Sequence, residues 1–174
     1  CFGNASREEE AAFFLHVALF RAAFVVVYAR HSSLTRARPR TLELESQDEY
    51  MYVGTTSGDV LQVSLSAQLF KHAGPHKSRV PKGVIAVASA PSGEVVLGGG
   101  DGSVSVLERG TMRTLASTKL ESGVTSCVMA PGMHEDGGFG LYAGTETCNI
   151  YYLKYSPARG VLSELIQTCH SERI

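Results

Sequence analysis

His134, Glu135 and Asp136 stand in a row, and His72 and His76 are four residues apart. Imidazole and carboxylate groups bind divalent metals, and two histidines at i and i+4 would share one face of a helix. Neither set is arranged for that chemistry. Gly74 and Pro75 lie between the two histidines and break any helix there. The His-Glu-Asp run is contiguous, sits in a Gly-rich stretch and has no further ligand at a useful spacing. Cys127, Cys148 and Cys169 recur every 21 residues, but no CxxC pair accompanies them, so they carry no zinc signature. Cys127 falls in an apolar run and reads as a small hydrophobe, which suits a reducing compartment. The glycines of Gly98-Gly99-Gly100 and of Gly54 to Gly58 would cradle a phosphate if a helix followed and lent its N-terminal amides. β-Branched residues follow instead, with no Lys-Ser/Thr pair. There is no GxSxG elbow and no pair of carboxylates at repeating positions. No catalytic residue, cofactor site or metal site is expected, and no enzyme activity.

The same glycines instead mark a repeat. VGTTSGDVLQV (Val53 to Val63), LGGGDGSVSVL (Leu97 to Leu107) and AGTETCNIYYL (Ala143 to Leu153) overlay without gaps. Gly54, Gly98 and Gly144 share one column, and four residues on stand Gly58, Gly102 and Cys148. The unit recurs after 44 and then 46 residues. Its centre is strand, tight turn, strand, with glycine where the turn needs a positive φ. A second match, GVIAVASAP (Gly83 to Pro91) and GVTSCVMAP (Gly123 to Pro131), is offset by 40. Small apolar residues ending in Pro suit an innermost strand near a propeller axis.

These spacings predict an all-β fold: a fragment of a WD-repeat-type β-propeller with two complete four-stranded blades and a partial one. The partial blade covers residues 50–82, with strands Tyr50 to Gly54 and Val60 to Leu65, an irregular outer strand around Gln68 to Lys71, and no recognisable innermost strand. The next blade, 83–120, reads Val84–Ala90, Val95–Gly98, Val104–Glu108 and Met112–Thr118. The last, 121–170, reads Val124–Ala130, Leu141–Gly144, Ile150–Tyr155 and Val161–Thr168, with a loop insertion at Gly132 to Gly140. A full ring usually needs about seven blades, near 300 residues. The 174 residues therefore read as a piece of a longer protein, which alone would expose strand edges and aggregate or dimerise.

Residues 1–49 lie outside this repeat. Ala11 to Ala29 is apolar and nearly long enough to span a membrane. Arg21 near its middle would cost roughly 2.5–3.5 kcal/mol on insertion scales, and Glu8, Glu9 and Glu10 precede it where a secretory signal wants positive charge. A buried strand at Phe24 to Tyr28 is the alternative. The stretch from Arg30 to Arg40 is basic and reads as a solvated loop, with an acidic-partner or nucleic-acid arm as the sharper alternative. Sixteen Lys and Arg against 17 Asp and Glu give a net charge of −1. That balance offers no electrostatic case for nucleic acid or an anionic membrane, and neither is expected as a partner.

The runs EYMYVGTTSGDVLQVSL, VVLGGGDGSVSVLE, GVTSCVM, LYAGTETCNIYYLKY and LIQTCH resemble the cilia- and flagella-associated protein 52 family. The family's FYLGTTTGDIL is similar to Tyr52 to Leu61, its VGTEESHIY to Ala143 to Tyr151, and its ATCH to Gln167 to His170. The chain has no Trp, and so no WD dipeptide. The resemblance runs from about Glu49 to Ile174, and residues 1–49 depart from it. It implies a non-catalytic structural scaffold of motile cilia and flagella, located in the axoneme. There it would be a microtubule inner protein that binds tubulin of the doublet microtubule and neighbouring axonemal proteins. The rival readings are a generic cytoplasmic WD-repeat adaptor and an exported propeller lyase or glycan binder.

Overall fold

The computed structural model describes residues 38–45, 49–66, 69–74 and 79–168. The apolar run at 11–29, Arg30, Arg36, His76 and Cys169 lie outside the described residues. Those described form twelve strands: β1 (Pro39–Leu44), β2 (Tyr50–Thr55), β3 (Val60–Ser64), β4 (Leu69–Gly74), β5 (Val84–Ser89), β6 (Val95–Gly99), β7 (Ser103–Leu107), β8 (Thr114–Lys119), β9 (Val124–Met133), β10 (Phe139–Thr145), β11 (Asn149–Ser156) and β12 (Gly160–Thr168). They make three four-stranded antiparallel sheets, each a meander in chain order. We call them blades 1, 2 and 3. Among the described residues no helix is long and apolar enough to cross a membrane.

Blade 2 shows why the sequence reads as it does. Its strand β6 is buried at every position. Val95 and Leu97 face blade 1 and pack with Tyr52 and Val60. Val96, between them, faces blade 3 and packs with Phe139 and Leu141. Successive side chains point to opposite faces of a strand, so a sheet covered on both faces must be apolar without alternation. The outer strand β8 has one face toward solvent, and its exposure alternates residue by residue. Full burial of a Val or Leu contributes about 1.5–3 kcal/mol, so these two inter-blade cores carry most of the cohesion.

Three expectations from the sequence are corrected. Blade 1 is not limited to 50–82. Pro39–Leu44 is its innermost strand and pairs with β2 from Leu44↔Met51 to Pro39↔Thr55. Its pattern is hidden because it opens on Pro39, a residue tolerated at the first position of an edge strand. Its apolar residues are also only two leucines, with Leu42 59% exposed. Second, the outer strand of blade 1 is Leu69–Gly74, running through Gly74. Third, Pro131 does not end β9. The register passes from Met129↔Leu141 to Met133↔Phe139, so residues 130–132 bulge and Pro131 owes the ladder no donor there. The insertion Gly132 to Gly140 is thus a lengthened hairpin. Its tip is closed by His134 N donating to Gly138 O (2.8 Å) and Gly137 N donating to His134 O (3.0 Å).

Candidate functional site

The glycine columns meet at the turn ends of the blades, where each sheet is joined to the next. In blade 1, Gly58 N donates to Thr55 O (3.2 Å) and Thr55 N donates to Asp59 O (2.9 Å). Gly102 N donates to Gly99 O (3.0 Å) and Cys148 N to Thr145 O (3.0 Å), so all three turns share one geometry. Their closing residues have φ of 87° (Gly58), 88° (Gly102) and 60° (Cys148). A side chain in this left-handed region costs roughly 1–2 kcal/mol, which Cys148 bears and the two glycines avoid.

The second column controls how closely blades approach. A Cβ on Gly54 would lie 2.5 Å from Thr41 Cγ2 of its own blade and 2.6 Å from Val84 Cγ1 of the next, and one on Gly98 would lie 2.6 Å from Val124 Cγ1. Val84 and Val124 open the innermost strands of the following blades. Gly144 meets instead Ser126 Oγ of its own blade, at 2.8 Å. On the same face, Tyr52 and Val96 are fully buried by the next blade, whereas their counterpart Tyr142 is 42% exposed.

Two joints follow, alike in backbone. At joint 1, between blades 1 and 2, Val80 N donates to Gly58 O (3.0 Å) and Gly100 N to Gly83 O (3.1 Å). At joint 2, between blades 2 and 3, Leu120 N donates to Gly102 O (2.9 Å) and Glu146 N to Gly123 O (2.8 Å). A polar layer flanks each turn. Ser57 Oγ donates to Asp59 Oδ2 (2.9 Å), and Asp59 pairs with Arg79 (3.0 Å). In blade 2 the two residue types are exchanged across the turn: Ser103 Oγ donates to Asp101 Oδ1 (2.6 Å), and Asp101 pairs with Lys119 (3.5 Å). Partial burial pushes the Asp101 carboxyl up, but hydrogen bonds from Ser103 and the Lys119 charge outweigh it and hold it below the usual range. In blade 3 the flanking pair is Thr147 and Asn149. Both donate to Glu121 Oε1, Thr147 at 2.7 Å. These bonds hold the Glu121 carboxyl below its ordinary value.

One cluster at joint 1 has no signal in the sequence. Arg109, in the β7–β8 turn of blade 2, reaches blade 1, where its Nε lies 2.8 Å from Glu45 and its Nη2 2.7 Å from Glu49. Its guanidinium lies 5.4 Å from the centre of the Tyr50 ring. The Glu45 side chain is only 2% exposed. Desolvation pulls against the Arg109 charge, but the two glutamates more than compensate and raise its pKa. The partners are 60 and 64 residues apart in sequence, beyond any periodicity that reading along the chain can test.

Among the described residues, those with chemical potential are not assembled into a reactive site. His134 lies at the hairpin tip, with Nε2 3.5 Å from Tyr152 Oη, and Asp136 accepts from Gly138 N. Hydrogen bonds from Ser156 first, and then from Gly138 N, hold the Asp136 carboxyl low. His72 is in β4, the outer strand of a different blade. Cys127 faces blade 2, and burial pushes its thiol up to about 12. That leaves it protonated and unreactive at neutral pH. Among the described residues no group of three His, Cys, Asp or Glu is placed to hold a metal ion.

Meandering four-stranded blades joined in this way define a WD-repeat β-propeller architecture, and solved structures agree. The chain superposes with TM-score 0.65 on a chain of the mitotic checkpoint complex, covering 79% of this chain and 41% of that one at 18% identity. It superposes at 0.63 on the Cps50 (Swd1) β-propeller domain of Myceliophteria thermophila, covering 76% and 40% at 10% identity. With the WD40 repeats of RRP9 the score is 0.63 at 12% identity, covering 76% and 38%. These likenesses show the fold alone. The more particular likeness, read from the residues, is to cilia- and flagella-associated protein 52, and relatives of that name show it. The chain is 43% identical to the Chlamydomonas reinhardtii protein over 136 residues, 78% of this chain and 21% of that protein. It is 27% identical to the Bos taurus protein and 25% to the Homo sapiens protein, each over 134 residues, 77% of this chain and 20% of theirs. The chain thus spans about a fifth of the length of these curated relatives. No family model matches.

Proposed function

We propose that the chain is part of a non-catalytic scaffold of motile cilia and flagella, resident in the axoneme. In this reading it acts as a microtubule inner protein that binds the tubulin lattice of the doublet microtubule and neighbouring axonemal proteins. The observation that carries the reading is the 43% identity to a relative named for cilia and flagella. The structure supports a mechanical role in a further way. Each joint couples backbone hydrogen bonds, an apolar core and a charged latch, so loops on successive blades are held at defined separations. Several partners would then be gripped at once by a stiff body.

An immunoblot tests this. An antibody to the Gly132 to Gly140 hairpin is used on detergent-extracted axonemes and on soluble cytoplasm of the source cell. The expected result is a band in the salt-resistant axoneme, larger than 18.6 kDa. A band confined to the soluble fraction would remove the axonemal role and leave a cytoplasmic WD-repeat adaptor.

A further inference from the structure

Joint 1 carries cations whose charges no carboxylate among the described residues neutralises. Arg38 and Arg40 lie at the start of β1, and Lys82 lies in the loop leading to β5. The backbone gathers them at one end of the blade. Arg38 N donates to Thr56 Oγ1 (3.0 Å) and Thr56 N donates to Arg38 O (2.9 Å). Arg40 Nη1 reaches Lys82 O at 3.5 Å. All three residues are exposed. Among the described residues no carboxylate pairs with any of them, whereas Arg79 beside them is paired with Asp59. Lys82 also occupies a left-handed backbone, φ 60°, in a turn closed by Gly83 N donating to Val80 O (3.2 Å). Glycine would serve that turn with less strain. The equivalent loop of joint 2 has Glu121 and Ser122 where this one has Pro81 and Lys82, so the cations are not a requirement of joint geometry.

We propose that Arg38, Arg40 and Lys82 form a docking site for an acidic, extended peptide segment of a partner protein. Guanidinium forks match carboxylates with paired hydrogen bonds. The backbone hydrogen bonds that hold the loop in place lower the ordering cost on binding. An extended segment advances about 3.3 Å per residue, so successive glutamates can reach neighbouring cations. Nucleic acid is the less favoured anion. Among the described residues the cation placed over an aromatic ring is Arg109, so Arg38, Arg40 and Lys82 have no ring beside them for bases to stack on. The inference does not depend on the ciliary reading.

The test uses the 174-residue chain and a fluorescein-labelled peptide of alternating Glu and Ser, followed by fluorescence anisotropy. Saturable binding is expected at low salt, weakening as salt screens the charges. The same peptide with Gln for Glu should not bind. Lys82→Gly removes one charge and suits the turn, so the variant should fold at least as well. Its affinity, and that of Arg40→Gln, should fall about tenfold each. Lys154→Gln, an exposed residue on β11 of blade 3, should leave affinity unchanged. The proposal is overturned by no binding to the unaltered chain, by undiminished binding to Lys82→Gly, or by tighter binding of an oligothymidylate of equal charge.

Discussion

Joints 1 and 2 share one backbone and differ in nearly every polar side chain. Both place the carbonyl of a turn glycine against the amide of an apolar residue, Val80 or Leu120. Both leave a glycine opposite the first valine of the next blade. Around that frame Ser57 and Asp59 in one blade become Asp101 and Ser103 in the next, with the acid on the other side of the turn. In each case a hydroxyl donates to the acid, and the acid holds the outgoing basic residue. What must persist is the close approach and the satisfied polar layer, not the identity of each residue. Blades therefore form here without the tryptophan that WD repeats commonly carry. The latches Arg79–Asp59 and Lys119–Asp101 are themselves weak, since both cations are mostly exposed and such pairs contribute about 0–1 kcal/mol. The apolar cores outweigh them. Joint 1 alone adds Arg109, a cross-blade clamp on a buried carboxylate.

The largest test of this equivalence is truncation of the cores. Leu97→Ala at joint 1 and Leu141→Ala at joint 2 should each cost about 2–5 kcal/mol in urea unfolding, because both side chains are fully buried. A loss at only one of them would mean that the joints are not energetically alike. Next comes Arg109→Met, which strands the Glu45 carboxylate. The cost should be about 2–3 kcal/mol, less than for a wholly buried pair because Arg109 is partly solvated. Double variants with Glu45→Gln should recover part of it, and additive losses would show that the two residues act separately.

Glycine substitutions sharpen the contrast between joined and unjoined blades. Gly54→Ala and Gly98→Ala should each cost about 1–3 kcal/mol by overpacking against a valine of the next blade, and at Gly54 against Thr41 as well. Gly144→Ala should cost clearly less, because only the Ser126 hydroxyl must turn away; equal losses in all three would remove the close-approach argument. Acid should weaken joint 2 through Asp101 and Glu121. Both carboxyls are depressed in the folded state, so their contribution is present above the unfolded range, about pH 4, and is lost as pH falls through the lower folded values. Asp101→Asn should flatten the stability–pH curve there, and an unchanged curve would remove Asp101 from the latch. The smallest effect is Cys148→Gly, which relieves a left-handed side chain at the cost of unfolded-state entropy. A gain of about 0.5–1 kcal/mol in thermal unfolding is expected, and a loss would show that the thiol itself contributes to the turn.

The repeat and its period were legible along the chain because they rest on local rules, but of the six positions read as turns only Gly58, Gly102 and Cys148 have a positive φ, while Gly54, Gly98 and Gly144 lie within β2, β6 and β10. Glycine at a positive φ, alternation and short spacing all act within about a dozen residues. Cys148 was placed in the glycine column by overlay alone, and it has the glycine-like backbone. The strand Pro39–Leu44 was not legible, since its partners and its blade supply the order that its Arg-, Pro- and Thr-rich composition conceals. The bulge at Pro131 was missed for a related reason. Proline does end a ladder locally, but a hairpin lengthened beyond it lets the strand resume.

By itself, then, the sequence determined that the chain is all-β and how often its unit repeats. Those properties follow from backbone preferences of neighbouring residues. Only the tertiary structure decided which faces of the strands are shared between blades, that Arg109 clamps Glu45 from 64 residues away, and that Arg38, Arg40 and Lys82 meet at one end. Such contacts depend on how sheets stack and on where loops return. Distance along the chain carries no information about either until the blades are packed.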